Sequence, residues 1–117
     1  MKLETGICGE QSVRVSAENT AKTMGSGTLD VFATPALVAL AEKTCWQSVA
    51  PALEAGSGTV GTKLELEHTA PTPVGMTVRA TATVTGVSEN GKLITSRVEA
   101  SDDCVTMMTI HSAKGLE

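Results

Sequence analysis

One stretch of the sequence, residues 36–50, has the pattern of a long helix, and this stretch most constrains the fold. Pro35 lies where the first helical residue belongs, because its φ is fixed and its missing N–H is not needed there. Thr34, just before it, can serve as the N-cap. No glycine or proline interrupts residues 36–50, and Pro51 is expected to end or kink the helix. Apolar residues recur at three- and four-residue spacing, at Leu37, Leu40, Ala41, Cys45 and Val49.

The remaining sequence alternates between apolar and polar residues and predicts strands. We expect them at residues 12–18, 63–68, 76–84 and 93–100, and the apolar run 104–110 permits a further strand. Glu89-Asn90-Gly91 predicts a hairpin turn, because Asn-Gly favours type I′. One long helix packed on an antiparallel sheet with a polar outer face defines an α+β fold of two layers. We expect residues 1–117 to form a single domain.

Composition and charge exclude several classes of protein. Aromatic residues make up 2% of the 117 residues, and the formal net charge is −4. The chain therefore lacks both a base-stacking platform and a basic face for phosphate backbones. No apolar run approaches the roughly 18 residues of a membrane helix. We expect neither a nucleic-acid partner nor contact with a membrane.

The cysteines and the N-terminal residues indicate the cellular compartment. Cys8, Cys45 and Cys104 are an odd number at wide spacing, without a CxxC motif or a His/Cys cluster. We therefore expect no metal site and no disulfide framework, and we interpret each cysteine as a small, semi-buried hydrophobe. The first residues lack a basic leader followed by an apolar core, which predicts no secretory signal. Together these features favour a cytoplasmic location.

Three polar residues stand in apolar surroundings and are candidates for chemistry. His68 shares a strand face with Leu64 and Leu66, and its ordinary pKa lies near working pH. Glu42 interrupts the apolar part of the helix, and Thr34 lies eight residues earlier, about 80° past two full turns. Each also has a simpler interpretation: His68 as a hydrogen-bonded core residue, Glu42 as a solvated helix position, and Thr34 as a cap.

Two longer motifs carry these residues and resemble a known family. Residues 25–42 read GSGTLDVFATPALVALAE, and residues 58–75 read GTVGTKLELEHTAPTPVG. Their order and content resemble the hotdog-fold acyl-CoA thioesterases related to fluoroacetyl-CoA thioesterase, over roughly residues 12–103. The resemblance implies a hotdog fold, in which a curled antiparallel sheet wraps one long helix.

The resemblance also implies an activity and a set of site residues. Carried over by position, the catalytic residues are Thr34, Glu42 and His68, and the substrate-binding residues are Gly61, Phe32 and Pro35. The implied reaction is hydrolysis of an acyl-CoA to a carboxylate and free coenzyme A. Coenzyme A is then part of the substrate, and no separate cofactor is implied. Two subunits or more would associate, with the thioester lying at the subunit interface.

The candidate residues allow more than one catalytic mechanism. Thr34 could be the nucleophile or could position a water molecule. His68 could be the base, oriented by Glu42, or Glu42 could be the base directly.

Two departures from the family pattern lead to an alternative. Residues 18–30 contain no phenylalanine where the fluoroacetyl-specific enzyme has a phenylalanine-bearing lid, which favours the general members. The family's terminal Gly-x-Gly-Thr-His-Glu-Arg run is missing. Residues 105–117 read VTMMTIHSAKGLE instead, which resembles a signature of superfamily 1 DNA helicases, and we interpret them as an atypical final strand. The alternative function is a non-catalytic module that binds an acyl group or CoA.

Overall fold

The computed structural model describes residues 2–102 and, as backbone, residues 107–116. Five strands and two helices follow in the order β1 (Cys8–Arg14), α1 (Ala21–Met24), α2 (Thr34–Val49), β2 (Thr59–Leu66), β3 (Thr77–Val87), β4 (Leu93–Asp102) and β5 (Met107–Leu116). The strands form one antiparallel sheet in the order β1-β3-β4-β5-β2, which is not closed. The predicted final strand is confirmed as β5, while Cys104 lies outside the described residues.

Helix α2 packs its predicted apolar stripe on the sheet. All five residues of the stripe are buried. Thr44 is buried beside them, and its hydroxyl donates a hydrogen bond of 2.7 Å to the Leu40 carbonyl. The facing strand residues are small or β-branched, namely Val78, Ala80, Ala82, Val98 and Ala100. Full burial of a side chain such as Leu37 stabilises the fold by about 1.5–3 kcal/mol, so this interface holds the two layers together.

The helix starts one residue earlier than the sequence predicted. Ala33 is the N-cap, with extended backbone and no capping side-chain bond, and Thr34 is the first helical residue. The prediction that Thr34 caps the helix is therefore wrong, because its hydroxyl has another partner, described below. At the other end the α-helix stops at Val49, and Pro51 lies in a short 3-10 turn, Ala50–Ala52. The expected break at Pro51 is confirmed.

Strand β1 covers Cys8–Arg14 rather than residues 12–18. The partly buried positions in its first half are Gly9 and Gln11, which are not apolar side chains. The alternation of apolar and polar residues that predicts a strand is therefore missing from this half. Pairing with β3 runs from Cys8 opposite Thr83 to Arg14 opposite Thr77, and this register fixes the strand's length. Cys8 is exposed and Cys45 is buried, so the expected semi-buried state is wrong for Cys8.

The other boundaries shift in ways that matter for function. Strand β2 ends at Leu66, two residues before His68, so the histidine lies in the loop and not on the predicted strand. The β3–β4 hairpin is confirmed, but its turn is centred one residue earlier than Asn-Gly. The N–H of Gly91 donates to the carbonyl of Ser88 at 2.8 Å, and Gly91 takes a φ of 70°.

Candidate active site

Thr34 and His68 meet at the start of helix α2. The Thr34 side chain is exposed at the first helical position, and His68 follows the end of β2. The Thr34 Oγ1 and the His68 Nδ1 lie 2.7 Å apart in a hydrogen bond between residues 34 positions apart in the sequence. This contact explains why Thr34 does not cap the helix.

The surroundings of His68 favour a neutral ring. Burial lowers the pKa of His68 below its ordinary value of 6.5, and a hydrogen bond with the backbone of Ala70 opposes this shift. The Nε2 atom is buried and has no hydrogen-bond partner among the described residues. A neutral imidazole has one nitrogen free to accept a proton. When that nitrogen is Nδ1, the Thr34 hydroxyl donates to it, which is the arrangement of a hydroxyl beside a base.

A pocket of about 210 Å³ opens over this pair. Its lining comes from α1 and the turn after it, the segment before α2, and the loop after β2, and it includes Ala21, Ser26, Phe32, Thr34, His68 and Pro71. Helix α1 was not predicted from the sequence. It is a single helical turn capped by Thr20, whose Oγ1 accepts a hydrogen bond from the Thr23 N–H. Ala21 and Ser26 are thus pocket residues that pattern analysis missed.

The start of α2 suits a substrate that develops negative charge. Ala33 provides no capping side chain, and the first turn contains no acidic residue. The positive end of the helix dipole therefore lies at Thr34, and no carboxylate in the first turn offsets it. This arrangement can stabilise the oxyanion formed when a carbonyl carbon is attacked.

The remaining predicted site residues lie in different places. Phe32 is 1% exposed and lines the pocket. Pro35 is exposed in the first turn of α2 and is not among the described residues that line the pocket.

Glu42 and Gly61 are distant from the Thr34–His68 pair within one chain. Glu42 is half-buried on α2, about 12 Å from Thr34 along the helix axis at 1.5 Å per residue. Gly61 is exposed on β2, five residues before Leu66, which corresponds to roughly 17 Å of extended strand. The structure therefore brings two of the three predicted catalytic residues together, and the roles of Glu42 and Gly61 stay predictions.

The described part of the chain contains no group of three or more His, Cys, Asp or Glu residues placed to hold a metal ion. Within the same residues, no helix combines the length and the apolar character needed to cross a bilayer.

Comparison with solved structures defines the class of protein. A hot-dog-like protein from Thermanaerovibrio acidaminovorans matches with a TM-score of 0.85 at 23% identity, covering 97% of this chain and 82% of that chain. A mutant of the fluoroacetyl-CoA-specific thioesterase FlK, in complex with fluoroacetate and CoA, matches with a TM-score of 0.89 at 29% identity, covering 98% of this chain and 95% of that chain. The fold is thus the hotdog fold of the thioesterase superfamily, as the motifs predicted.

The particular family follows from the sequence comparisons. The family described as fluoroacetyl-CoA-specific thioesterase matches residues 15–112, and the chain belongs to it. The fluoroacetyl-CoA thioesterase of Streptantibioticus cattleyicolor is 44% identical over 73 residues, which are 62% of this chain and 51% of that protein. The match thus spans about half the length of this curated relative. The resemblance inferred from the two motifs is confirmed.

Proposed function

We propose that this protein is an acyl-CoA thioesterase, which hydrolyses a thioester to a carboxylate and free coenzyme A. The hydrogen bond of 2.7 Å between Thr34 and His68 is the observation that carries the proposal. It joins a hydroxyl to an imidazole whose pKa is lowered by burial, at a helix N-terminus beside an open pocket. Family membership supports the same chemistry, since a solved relative holds fluoroacetate and CoA.

In the proposed mechanism Thr34 is the nucleophile. At 2.7 Å no water molecule fits between Oγ1 and Nδ1, so His68 takes the hydroxyl proton directly. The Thr34 oxygen attacks the thioester carbonyl, and the first turn of α2 stabilises the oxyanion. Coenzyme A leaves as its thiol, with the proton returned from His68. A water molecule, deprotonated by His68, then releases the acyl group as the carboxylate.

The proposal includes a homodimer or a larger assembly of this chain. Glu42 lies about 12 Å along α2 from Thr34, too far to touch the hydroxyl of its own chain. We therefore assign Glu42 to the site of a second copy, where its carboxylate would orient His68 or the attacking water. The polar end of the substrate, coenzyme A, would lie at the same interface.

The proposal also covers substrate preference and location. Residues 18–30 contain no phenylalanine, and α1 is a single helical turn, so we expect no selectivity for fluoroacetyl over acetyl thioesters. A cytoplasmic location accords with Cys8, an exposed cysteine that forms no disulfide.

Turnover of CoA esters tests the function. Acetyl-, fluoroacetyl- and medium-chain acyl-CoA are supplied, and the released thiol is detected with a thiol reagent. His68→Ala and Glu42→Ala are each expected to lower kcat by about 10²–10⁴-fold, as for loss of a general acid or base. Thr34→Ser, which keeps the hydroxyl, is the matched control for Thr34→Ala.

Two results would contradict the proposal in different ways. Turnover that survives both His68→Ala and Glu42→Ala would reject the assigned site. Saturable binding of CoA esters in calorimetry, without any release of thiol, would identify the non-catalytic binding module instead. An acyl group found on Thr34 by mass spectrometry would support the covalent route.

A further inference from the structure

The loop that carries His68 is fixed by a fully buried threonine. Thr72 is 0% exposed, although it lies in a loop between two prolines. Its carbonyl accepts a hydrogen bond of 2.8 Å from the N–H of Phe32, two residues before Thr34. Its hydroxyl donates a hydrogen bond of 2.7 Å to Oδ2 of Asp102. Thr72 therefore connects the His68 loop both to the segment that leads into α2 and to the sheet.

Asp102 is a buried acidic residue that the proposed mechanism does not use. It is 8% exposed at the last position of β4, opposite Val78 of β3. Burying a carboxylate costs free energy unless hydrogen-bond donors compensate for the lost hydration. The Thr72 hydroxyl is such a donor, and its acceptor, Oδ2 of Asp102, belongs to a residue paired in the sheet.

Thr34 and His68 belong to different elements, so the distance between them depends on how the His68 loop is held. Thr34 is held by α2, whereas His68 lies in a segment without regular secondary structure between β2 and β3. A change of about 1 Å in the position of a reacting group can cost on the order of 10²-fold in rate. The loop needs a fixed point in the sheet, and the Thr72–Asp102 hydrogen bond supplies one.

We propose that Asp102 and Thr72 are positioning residues, which hold His68 at hydrogen-bond distance from Thr34 by tying the His68 loop to the end of β4. This inference rests on the proposed function and extends it to two residues outside the pocket lining. Neither residue touches the substrate, and both act through His68.

Three variants separate positioning from general packing. Thr72→Val removes the hydroxyl and keeps the shape, and Asp102→Asn keeps one acceptor oxygen but replaces the carboxyl group by an amide. Thr72→Ser keeps the hydroxyl and serves as the conservative variant. We expect Thr72→Val to lower kcat by about 10-fold or more, with KM changed by less than about threefold. Asp102→Asn is expected to lower kcat less. Thr72→Ser is expected to keep most of the wild-type rate.

A second readout does not depend on turnover. The imidazole nitrogens of His68 are followed by long-range ¹H–¹⁵N NMR between pH 4.5 and 8.5, and the His68 signal is the one absent from His68→Gln. In Thr72→Val we expect the midpoint of the His68 titration to move toward 6.5, because a released loop exposes the ring to water. Thr72→Ser is expected to titrate like the wild type.

Thr44→Val is the matched control, because it also removes a buried threonine hydroxyl that donates a 2.7 Å hydrogen bond. We expect it to lower thermal stability without moving the His68 titration. The proposal is overturned if Thr72→Val leaves the His68 titration as in the wild type, or if Thr44→Val shifts it equally. If the wild type hydrolyses no CoA ester, the proposed function fails, and the NMR comparison still decides whether Thr72 positions His68.

Discussion

The chemistry of single residues in this protein depends on their neighbours in the fold more than on their type. His68 becomes a candidate base because burial lowers its pKa and because Thr34 lies 2.7 Å away. Thr34 likewise has two possible uses at a helix start, as a cap or as a reactive hydroxyl. In the structure Ala33 is the N-cap, and the Thr34 hydroxyl is hydrogen-bonded to His68.

The pH dependence of turnover follows from the lowered pKa of His68. The proposed base is active when neutral, so kcat/KM is expected to rise with pH through a midpoint below 6.5 and then to level off. The measurement is a pH–rate profile with acetyl-CoA, and the residual rate of His68→Gln is expected to lack this step. A step centred at or above 6.5 would contradict the assignment of His68 as the base.

The same shift makes a prediction about stability. Between the folded pKa and the unfolded value of about 6.5, the unfolded chain binds more protons at His68 than the folded chain does. The contribution of His68 to stability is therefore complete above pH 6.5 and decreases as the pH falls through the folded pKa. Urea denaturation at pH 5 and pH 7.5 checks this. The free energy of unfolding should fall more on acidification for the wild type than for His68→Gln.

At the scale of elements, the packing of α2 on β1 depends on one glycine. A Cβ added at Gly9 of β1 would lie 2.8 Å from the Cβ of Ser48 on α2 and 3.3 Å from its Cα. Real Cβ atoms essentially never come this close, so the helix and strand approach each other only because Gly9 has no side chain. The same glycine obscured the strand in the sequence pattern.

Gly9→Ala is therefore expected to destabilise the fold. The added methyl group would push α2 away from β1, at a cost of about 1–3 kcal/mol, as is typical of overpacking. Chemical denaturation measures the difference in free energy of unfolding. Gly58→Ala is the control, since a Cβ there meets nothing within 4 Å and Gly58 does not have a positive φ. Equal stability of the two variants would show that the contact relaxes without cost.

At the scale of the whole molecule, the three predicted catalytic residues of one chain lie in two separate places. Thr34 and His68 share a pocket, whereas Glu42 is about 12 Å farther along α2. A symmetric pair of chains can complete two such sites at once, because each chain then supplies what the other lacks. Strand β2 lies at the edge of the sheet, and its Val60 and Leu64 are 46% and 37% exposed.

Mixed assemblies test whether Glu42 acts in the partner's site. Glu42→Ala and His68→Ala chains are unfolded together, mixed in equal amounts and refolded. About half of random dimers are mixed, and each has one site with all three residues intact, so about one quarter of wild-type activity should return. Thr34→Ala mixed with His68→Ala is the control and should recover nothing, since both changes fall in the same half of the site. Equal failure of the two mixtures would place Glu42 in its own chain's site.

The sequence by itself determined the elements whose patterns are local. The period of Leu37, Leu40 and Cys45 defines α2, and the alternation of Val78, Ala80 and Ala82 defines β3, because burial of one face imposes the spacing of each element. The two motifs also identified the family. Strand β1 was only half recognised, because Gly9 and Gln11 face inward without an apolar signal.

Only the tertiary structure decided how the candidate residues meet. Sequence spacing placed Thr34 and Glu42 near one side of a helix, but the axial rise of about 1.5 Å per residue separates them. Hydrogen bonds across the fold bring His68 to Thr34 and Thr72 to Asp102, over 34 and 30 positions of sequence. Such contacts produce no periodic pattern in the sequence, because each joins two single side chains. These side chains lie at the ends of elements, where neither helix nor strand geometry determines the partner.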